Sequence, residues 1–348
     1  MMRDHAAGTI PAVVCLVTLV LITRAMATIK RTTARVFYYA RNVMRDIAPQ
    51  AVFRRRLAGR LEQARLSDGA VRRRLNHYNK LQDAFTPSPD AVRIDQLPFD
   101  PSMYYYDLKE FARYFDPSLL IDLKFGDVKG VPELPTLVKD RPIRADNGNA
   151  VIMKFNKFRH FHMPADAVAF TDKRPVMVWR GDLNNPIRTR FLDVACDLPF
   201  CDVGSHKRNA PAEYSKPFLS ISQHLRYRYI VSLEGNDVAT NLKWIMNSNS
   251  LCLMPPPTYE TWFGESQLEA GVHYAPLDPD FSDLREKVDY FERHPAAAER
   301  IIATANAYCR KFSNERDEQA ISLLVLYKYF VLGGQIEPDP ELWRFIES

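Results

Sequence analysis

The segment from Tyr229 to Pro255 constrains the fold of this chain more than any other. It reads YIVSLEGNDVATNLKWIMNSNSLCLMP, so that an apolar run breaks at Gly235 and a second apolar run begins at Leu251. Between the two runs, apolar residues recur at helical spacing, at Val238, Leu242, Ile245 and Met246. This pattern predicts a strand, a tight loop, a helix and a second strand, which is half of a nucleotide-binding α/β fold.

The loop around Gly235 is a candidate phosphate-binding element. A glycine lets the backbone turn sharply there, and the first N–H groups of the predicted helix have no partner within the helix, which suits a diphosphate. One glycine is also ordinary in a strand-to-helix turn, and the loop matches neither G-x-G-x-x-G nor a Walker sequence. A purely structural turn therefore stays an alternative.

Predicted strands and helices alternate along the second half of the chain. Strands are expected at 176–179, 200–203, 229–233, 251–254 and 272–276, and helices at 188–195, 220–227 and 283–330. Such alternation predicts a parallel sheet covered on both faces. Before it, a helix at 104–115 and a strand at 119–125, ending at Gly126 and Asp127, indicate a further lobe. We expect an N-terminal lobe at 91–172 and a C-terminal lobe at 173–348.

Several segments together resemble glycosyltransferase family 90. Besides the segment described above they are Tyr38–Asp46, Phe125–Val128, Arg141–Ile143, Lys154–His160, Trp179–Gly181, Arg226–Tyr229 and Pro255–Leu277. The family contains protein O-glucosyltransferases, capsule-associated xylosyltransferases and bacterial lipopolysaccharide glycosyltransferases, and the bacterial branch is the most similar. The resemblance implies a GT-B fold, in which two Rossmann-like lobes with parallel sheets face a cleft.

The resemblance also implies a function. It is inverting transfer of a hexose such as glucose from a UDP-sugar to a lipopolysaccharide, lipooligosaccharide or related surface-glycan acceptor. A protein or capsule acceptor is an alternative, and so is a non-catalytic, membrane-tethered scaffold that keeps the fold. No cofactor other than the UDP-sugar itself is expected.

The resemblance implies a donor site in the C-terminal lobe. Arg188 matches a family arginine that contacts the donor, whereas Asn241 replaces the arginine of the protein-glucosylating relatives. That cationic role would then pass to Arg180, Arg188 or Lys243. The predicted donor-binding residues are Arg180, Arg188, Gly235, Asn236, Asp237, Val238, Ala239, Thr240, Lys243, Tyr259, Trp262 and Glu265.

Four of these residues have two interpretations each. Asp237 is awkward beside a diphosphate and is expected to cap the helix or bind sugar hydroxyls. Tyr259 or Trp262 would stack on uracil or on a sugar, or pack in the core of the lobe. Glu265 would hold ribose or sugar hydroxyls, or supply charge to a helix.

The catalytic base is expected to be a carboxylate near the acceptor hydroxyl. Asp127 is the first candidate, because it ends a predicted strand on a glycine turn and aligns with the aspartate that the family uses as base. Asp140, in Lys139-Asp-Arg-Pro142, is the rival.

No metal site is predicted. His160 and His162 have metal-like spacing but no evident further ligands, and Asp278-Pro-Asp280 is typical of a turn. The five cysteines are an odd set without a C-x-x-C pair, so they indicate neither a disulfide framework nor a zinc site. The family is expected to work without metal.

The N-terminal segment is strongly basic. Residues 24–74 contain 14 Arg or Lys and three acidic residues, within a net charge of +5 for the chain, so residues 75–348 are net acidic. We expect an apolar segment at 1–25, which is a membrane anchor or a mis-annotated start before Met26, and a basic helical arm at 26–90. An arm of this kind suits an anionic membrane better than nucleic acid, although solvated helix faces would carry the same charges. The expected location is the cytoplasmic face of the bacterial inner membrane.

Overall fold

The computed structural model describes residues 33–66 and 69–348, which fall into two compact units divided between Pro49 and Gln50. In the first unit, residues 33–47 form a helix, α1. The apolar segment at 1–25 lies outside the described residues. No helix within the described ranges has the length and apolarity needed to cross a membrane.

A parallel sheet of five strands organises the second unit, as the alternation of elements predicts. Its spatial order is β12-β10-β9-β7-β8, and every neighbouring pair is parallel. The strands are β7 (Arg174–Gly181), β8 (Cys201–Ser205), β9 (Tyr227–Val231), β10 (Leu251–Met254) and β12 (Ala275–Pro276). All four residues of β10 are buried, as expected for a strand that is covered on both faces.

The order of strand addition reverses between β7 and β9. From β7 the chain first adds β8 on one side, and it then returns to add β9, β10 and β12 on the other side. Ligands of open α/β sheets bind in the crevice beyond the carboxyl ends of the strands at such a switch point. The fold therefore directs attention to the loops that follow β7 and β9.

Helices cover this sheet. They include α6 (Pro186–Ala195), α7 (Ile221–His224), α8 (Leu242–Met246), α9 (Leu284–Arg293) and α10 (Pro295–Arg310). The start of α6 is well defined, because the Asn185 side chain accepts the Ile187 N–H and Pro186 occupies the first helical position. Apolar residues of α6, α9 and α10 pack with β7–β10 in one continuous core.

A second parallel sheet has three strands in the order β3-β4-β6. They are β3 (Leu123–Lys124), β4 (Thr136–Val138) and β6 (Ala150–Ile152), and α4 (Ser102–Ala112) and α5 (Lys157–His160) lie in the same half of the sequence. The single strand expected at 119–125 is divided at Asp122, whose carboxylate accepts the N–H and hydroxyl of Ser88. Its first part, β2 (Leu120–Ile121), pairs with β1 (Val92–Arg93) instead.

A short antiparallel pair connects segments that adjoin the two parallel sheets. Strand β5 (Asp140–Pro142) follows β4 after one residue, and β11 (Tyr259–Thr261) follows β10. Their register pairs Asp140 with Thr261 and Pro142 with Tyr259. The parallel α/β architecture is thus confirmed, whereas the division into two GT-B lobes at residue 172 stays a prediction.

The basic segment is helical, but its second half is not a separate arm. Helices α2 (Gln50–Arg65) and α3 (Gly69–Tyr78) pack against α11 (Glu315–Leu332), and α12 (Pro340–Glu347) also contacts them. Leu61, Leu75 and Tyr78 are buried there. The charge count does not reveal this packing, because it does not distinguish exposed arginines from packed ones; Arg74, for example, donates to the Tyr78 hydroxyl and pairs with Glu318.

Candidate functional site

Arg188 occupies the switch point between β7 and β9. Its guanidinium donates to the backbone oxygens of Asp182 and Leu233, at 3.0 and 2.9 Å, and to that of Glu234, at 2.9 Å. It also donates to Asn184 Oδ1 at 2.9 Å. Arg188 thereby ties the loop after β7 to the loop after β9. Its predicted contact with the donor stays a prediction.

Gly235 lies against this guanidinium. A Cβ atom at this position would stand 2.9 Å from Arg188 Nη2, so a larger residue would displace the arginine. The Gly235 oxygen accepts the Asn185 side-chain amide at 2.6 Å, and its N–H donates to the Asp237 oxygen at 2.9 Å. The glycine is therefore needed for the close approach of the two loops.

The helix after this loop begins later than the sequence predicts. It starts at Leu242, and Val238, Ala239 and Thr240 precede it in bends and turns, with Val238 and Ala239 buried. The backbone N–H groups of 238–240 are therefore not the first turn of a helix. The Asn241 side chain contributes to this later start, because its amide donates to the Val231 oxygen and its oxygen accepts the Ser232 hydroxyl.

Arg180 is held inside the fold. Its guanidinium donates to the oxygens of Trp179, Asp202 and Pro217, and to Asp202 Oδ1 at 2.6 Å, and its side chain is 4% exposed. This arginine joins β7 to β8 rather than pointing to the crevice. We therefore no longer expect it to bind the donor.

Three further predicted donor contacts are also buried. Lys243 Nζ pairs with Glu265 Oε1 at 2.6 Å, and the side chains of Lys243 and Glu265 are 0% and 1% exposed. Glu265 also accepts the N–H and hydroxyl of Thr261. Trp262 is 1% exposed, stacks on Tyr78 at 4.0 Å between ring centroids and donates its indole N–H to Glu318. These predictions are corrected, because side chains that reach no solvent cannot contact a nucleotide sugar.

Tyr259 is partly accessible, and its predicted contact with the donor stays a prediction. It is half-buried on β11, and its hydroxyl donates to the Lys129 oxygen at 3.3 Å. The Glu234 carboxylate, which follows β9, accepts the N–H groups of Tyr259 and Thr258 at 3.1 and 2.9 Å. The backbone of Tyr259 is therefore held to the loop after β9.

Lys139 contacts the three carboxylates of Asp127, Asp140 and Asp237, which the sequence singles out. It lies between β4 and β5, and its Nζ is 2.5 Å from Asp127 Oδ1 and 3.7 Å from Asp140 Oδ1. It also forms an ion pair with Asp237 Oδ2. Asp237 therefore does not cap α8, and the Asn236 side-chain amide approaches Asp127 Oδ2 at 3.5 Å. Residues that follow β3, β4 and β9 converge here.

The acidic groups of this cluster differ in protonation. Burial raises the pKa of Asp140 to about 7 against the opposing charge of Lys139, and burial also raises the pKa of Asp237. Burial acts to raise the pKa of Asp127 too, but the hydrogen bond and charge of Lys139 outweigh it and the pKa is lowered. Asp127 is therefore ionised at neutral pH, which a general base requires.

Exposure separates the two candidate bases. The side chain of Asp127 is 38% exposed, whereas that of Asp140 is 0% exposed. Both oxygens of Asp140 face the Val128 N–H, at 3.3 and 3.1 Å. An acceptor hydroxyl can thus reach Asp127 and not Asp140. The glycine before Asp127 adopts φ 97°, which only glycine adopts readily, and this turn directs the chain away from β3.

The surroundings of Asp127 include Tyr104 and Arg159, which the sequence does not single out, and His160, which it singles out only for its spacing from His162. Tyr104, His160 and Arg159 act electrostatically on Lys139 or on Asp127, and Arg159 is exposed. His160 is buried, and burial together with the neighbouring cations lowers its pKa well below the ordinary value, so it is neutral. The sequence does carry a signal for Lys139, because this charged residue directly follows the apolar pair Leu137–Val138 at the end of a strand. The other three become neighbours of the site only through tertiary packing.

Carboxylate oxygens of Asp127, Asp140 and Asp237 lie within 4.8 Å of one another, a spacing that could hold a metal ion. The Lys139 ammonium contacts all three carboxylates. The cluster therefore combines a metal-like set of oxygens with a resident cation from the chain itself.

Comparison with known proteins identifies the family. Residues 150–329 match the model of glycosyl transferase family 90. The chain is 44% identical over 311 residues to an O-glucosyltransferase LpsA of Dichelobacter nodosus, covering 88% of this chain and 97% of that protein. It is also 26% identical over 92 residues to a protein O-glucosyltransferase 2 of Danio rerio, covering 26% of this chain and 18% of that protein. The chain therefore belongs to glycosyl transferase family 90 and is a glycosyltransferase.

Proposed function

We propose that this protein transfers glucose from UDP-glucose to a hydroxyl group of a lipopolysaccharide or related surface glycan, with inversion at the anomeric carbon. Similarity to an O-glucosyltransferase over nearly the full length of both chains supports the sugar. The resemblance to the bacterial branch of the family supports the uridine nucleotide and the acceptor. The observation that carries the chemistry is an ionised, exposed Asp127 beside the switch-point crevice.

In the proposed reaction the acceptor hydroxyl attacks the anomeric carbon of the donor. The new C–O bond forms as the bond from that carbon to the β-phosphate oxygen breaks, and the electron pair of the broken bond leaves with UDP. Asp127 takes the proton of the hydroxyl. A single displacement of this kind inverts the configuration at the anomeric carbon.

The crevice after β7 and β9 is the proposed donor site. Asn236, Thr240 and Tyr259 are predicted donor residues that are accessible there, because Asn236 is exposed and the other two are half-buried, as Arg188 and Gly235 also are. Arg188 supports the site by joining the two loops, and Arg159 is an exposed cation on the Asp127 side. We propose that exposed and loop-borne groups, rather than a helix end, hold the diphosphate.

A thermal-shift screen tests the donor. UDP and UDP-glucose should raise the melting temperature more than UDP-galactose, UDP-xylose, GDP-glucose or ADP-glucose, because ligands that bind only the folded state stabilise it, by about 2.7 kcal/mol at a hundredfold excess over Kd. Stabilisation by an ADP- or GDP-sugar alone would contradict the proposal.

Release of UDP then tests the acceptor and the metal requirement. Turnover with UDP-glucose should require lipopolysaccharide from a strain truncated in its outer sugars, and a folded protein domain or a capsule polysaccharide should not replace it. EDTA should leave the rate nearly unchanged. Turnover on the protein or capsule acceptor alone would move the acceptor class to that alternative, and a strict need for Mn²⁺ or Mg²⁺ would contradict the metal-independent chemistry.

A further inference from the structure

Lys139 is the common partner of three carboxylates that come from three segments of the chain. Its Nζ lies 2.5 Å from Asp127 Oδ1 and 3.7 Å from Asp140 Oδ1, and it is ion-paired with Asp237 Oδ2. Its side chain is only 4% exposed. One ammonium group therefore lies among the oxygens that would otherwise form a site for a divalent cation.

The ammonium and the carboxylates of this cluster compensate each other's charge. Carboxylates within 4.8 Å of one another repel strongly where water is excluded, and a buried ammonium without anionic partners is equally unfavourable. The ammonium satisfies both demands at once. It also fixes the position of Asp127 relative to Asp237 in the loop after β9.

The cluster is open on one side only. The side chain of Asp127 is 38% exposed, whereas those of Asp237 and Asp140 are 9% and 0% exposed. A cluster that served packing alone would not need an exposed member. The exposed carboxylate is the one that the proposed reaction uses, and the two closed ones hold the ammonium from behind.

We propose that Lys139 is a positioning residue, whose ammonium is a built-in cation that fixes the Asp127 carboxylate toward the acceptor and stands where a divalent metal would bind. The inference rests on the proposed function, since it takes Asp127 as the base. It adds that the chain supplies its own cation for this purpose. It also predicts a latent metal site that the lysine fills.

The first test is the acid limb of the pH profile of kcat/KM. Lys139→Met removes the cation, so Asp127 protonates more easily and the acid limb should shift to higher pH by at least about one unit. Because the base is no longer held in position, kcat should fall about 10- to 100-fold. Melting temperature reports folding separately. The charged and titratable groups that act on Asp127 are Lys139 and Asp140 at the β4–β5 junction, Asp237 after β9, Tyr104 on α4 and Arg159 on α5.

Lys173→Met is the matched control. Lys173 is also buried, with 0% side-chain exposure, and its Nζ lies 2.6 Å from Asp166 Oδ2. This ion pair does not belong to the Lys139 cluster. Its loss should lower the melting temperature without moving the acid limb. Lys139→Arg keeps the positive charge and should restore the position of the limb. An acid limb that stays in place in folded Lys139→Met would overturn the proposal.

The second test needs no turnover. Lys139→Ala leaves space among the three carboxylates, so it should bind one Mn²⁺ per chain, seen by electron paramagnetic resonance, at a concentration where wild type and Lys173→Met bind none. Absence of Mn²⁺ binding in folded Lys139→Ala would contradict the latent metal site. Should neither Lys139 variant fold, Asp237→Asn removes one anion and should shift the acid limb downward; an unmoved limb would then count against the proposal.

The two proposals fail in different ways. If Asp127→Asn turns over normally, the proposed base is wrong. Mn²⁺ binding to Lys139→Ala still tests whether the three carboxylates form a latent metal site. If Asp127→Asn is inactive and Lys139→Met keeps both its rate and its pH profile, the proposed function stands and the role given to Lys139 is wrong.

Discussion

Asp127 and Asp140 are close neighbours in the sequence and at the site, yet their surroundings give them different chemistry. Asp127 is exposed and bonded to an ammonium, and Asp140 is enclosed under the Val128 N–H. The same residue type is thus ionised in one place and easily protonated in the other. Such differences decide which carboxylate can act as a base.

Asp127→Asn keeps the shape of the side chain and removes the base. We expect kcat to fall by roughly 10²–10⁴-fold while UDP-glucose affinity, measured by calorimetry, changes little. Asp140→Asn should cost much less in rate. If Asp127→Asn is active and Asp140→Asn is inactive but stable, the two residues exchange roles.

Asp140 should also make stability depend on pH. Its pKa of about 7 in the folded protein exceeds the ordinary value of 3.8, so the folded state keeps a proton that the unfolded chain releases. The stability contributed by this group therefore declines as pH rises from about 4 to about 7. Asp140→Asn lacks this decline and should gain about 1–3 kcal/mol relative to wild type between pH 5 and pH 8, measured by urea denaturation. If the free energies of unfolding of Asp140→Asn and wild type differ by the same amount at pH 5 and pH 8, this prediction is wrong.

At the scale of elements, the loops after β7 and β9 depend on one side chain. Arg188→Ala should lower the free energy of unfolding by about 2–4 kcal/mol, because it leaves several backbone oxygens without a donor. UDP affinity should fall by roughly 1.5–3 kcal/mol as the loops separate. Arg190→Ala, on the exposed face of the same helix, is the control and should change stability by less than about 0.5 kcal/mol. Unchanged UDP affinity in folded Arg188→Ala would remove this arginine from the donor site.

The packing of α3 against β11 and the segment after it has a separate role. Trp262 stacks on Tyr78, and the Tyr78 hydroxyl donates to the Trp262 oxygen at 2.6 Å. Trp262→Ala should destabilise the protein by about 3–5 kcal/mol and leave the UDP affinity of the folded protein unchanged. Tyr259→Phe, which removes only a hydroxyl, should cost far less stability. A loss of UDP affinity without a loss of stability in Trp262→Ala would restore the stacking role.

At the scale of the whole molecule, we propose that the basic and apolar groups of α1 bind a membrane surface. Phe37, Met44 and Ile47 are 70%, 72% and 78% exposed on this helix, and the sequence around them is rich in arginine. A protein that begins at Met26 should bind vesicles containing anionic lipid at low salt and leave them at high salt, because surface charge is screened. A protein that begins at Gln50 should not bind. Equal binding of both to the vesicles would place the membrane contact elsewhere.

The sequence alone determined the regular part of the fold, because local periodicity and turn residues carry that information. The parallel arrangement around β7, β9 and β10 and helix α6 follow from such patterns. The family also follows from short motifs in order. The position of Asp127 after a glycine turn also follows from neighbouring residues in the sequence.

The tertiary structure decided which of the candidate residues face the site. Lys243, Trp262 and Glu265 have the chemistry of ligand-binding residues, yet long-range packing buries them. Lys139 meets Asp237 although 98 residues separate them in the numbering, because residues that follow β4 and β9 converge. Burial and long-range ion pairing depend on the arrangement of the whole chain, so no local pattern could have specified them.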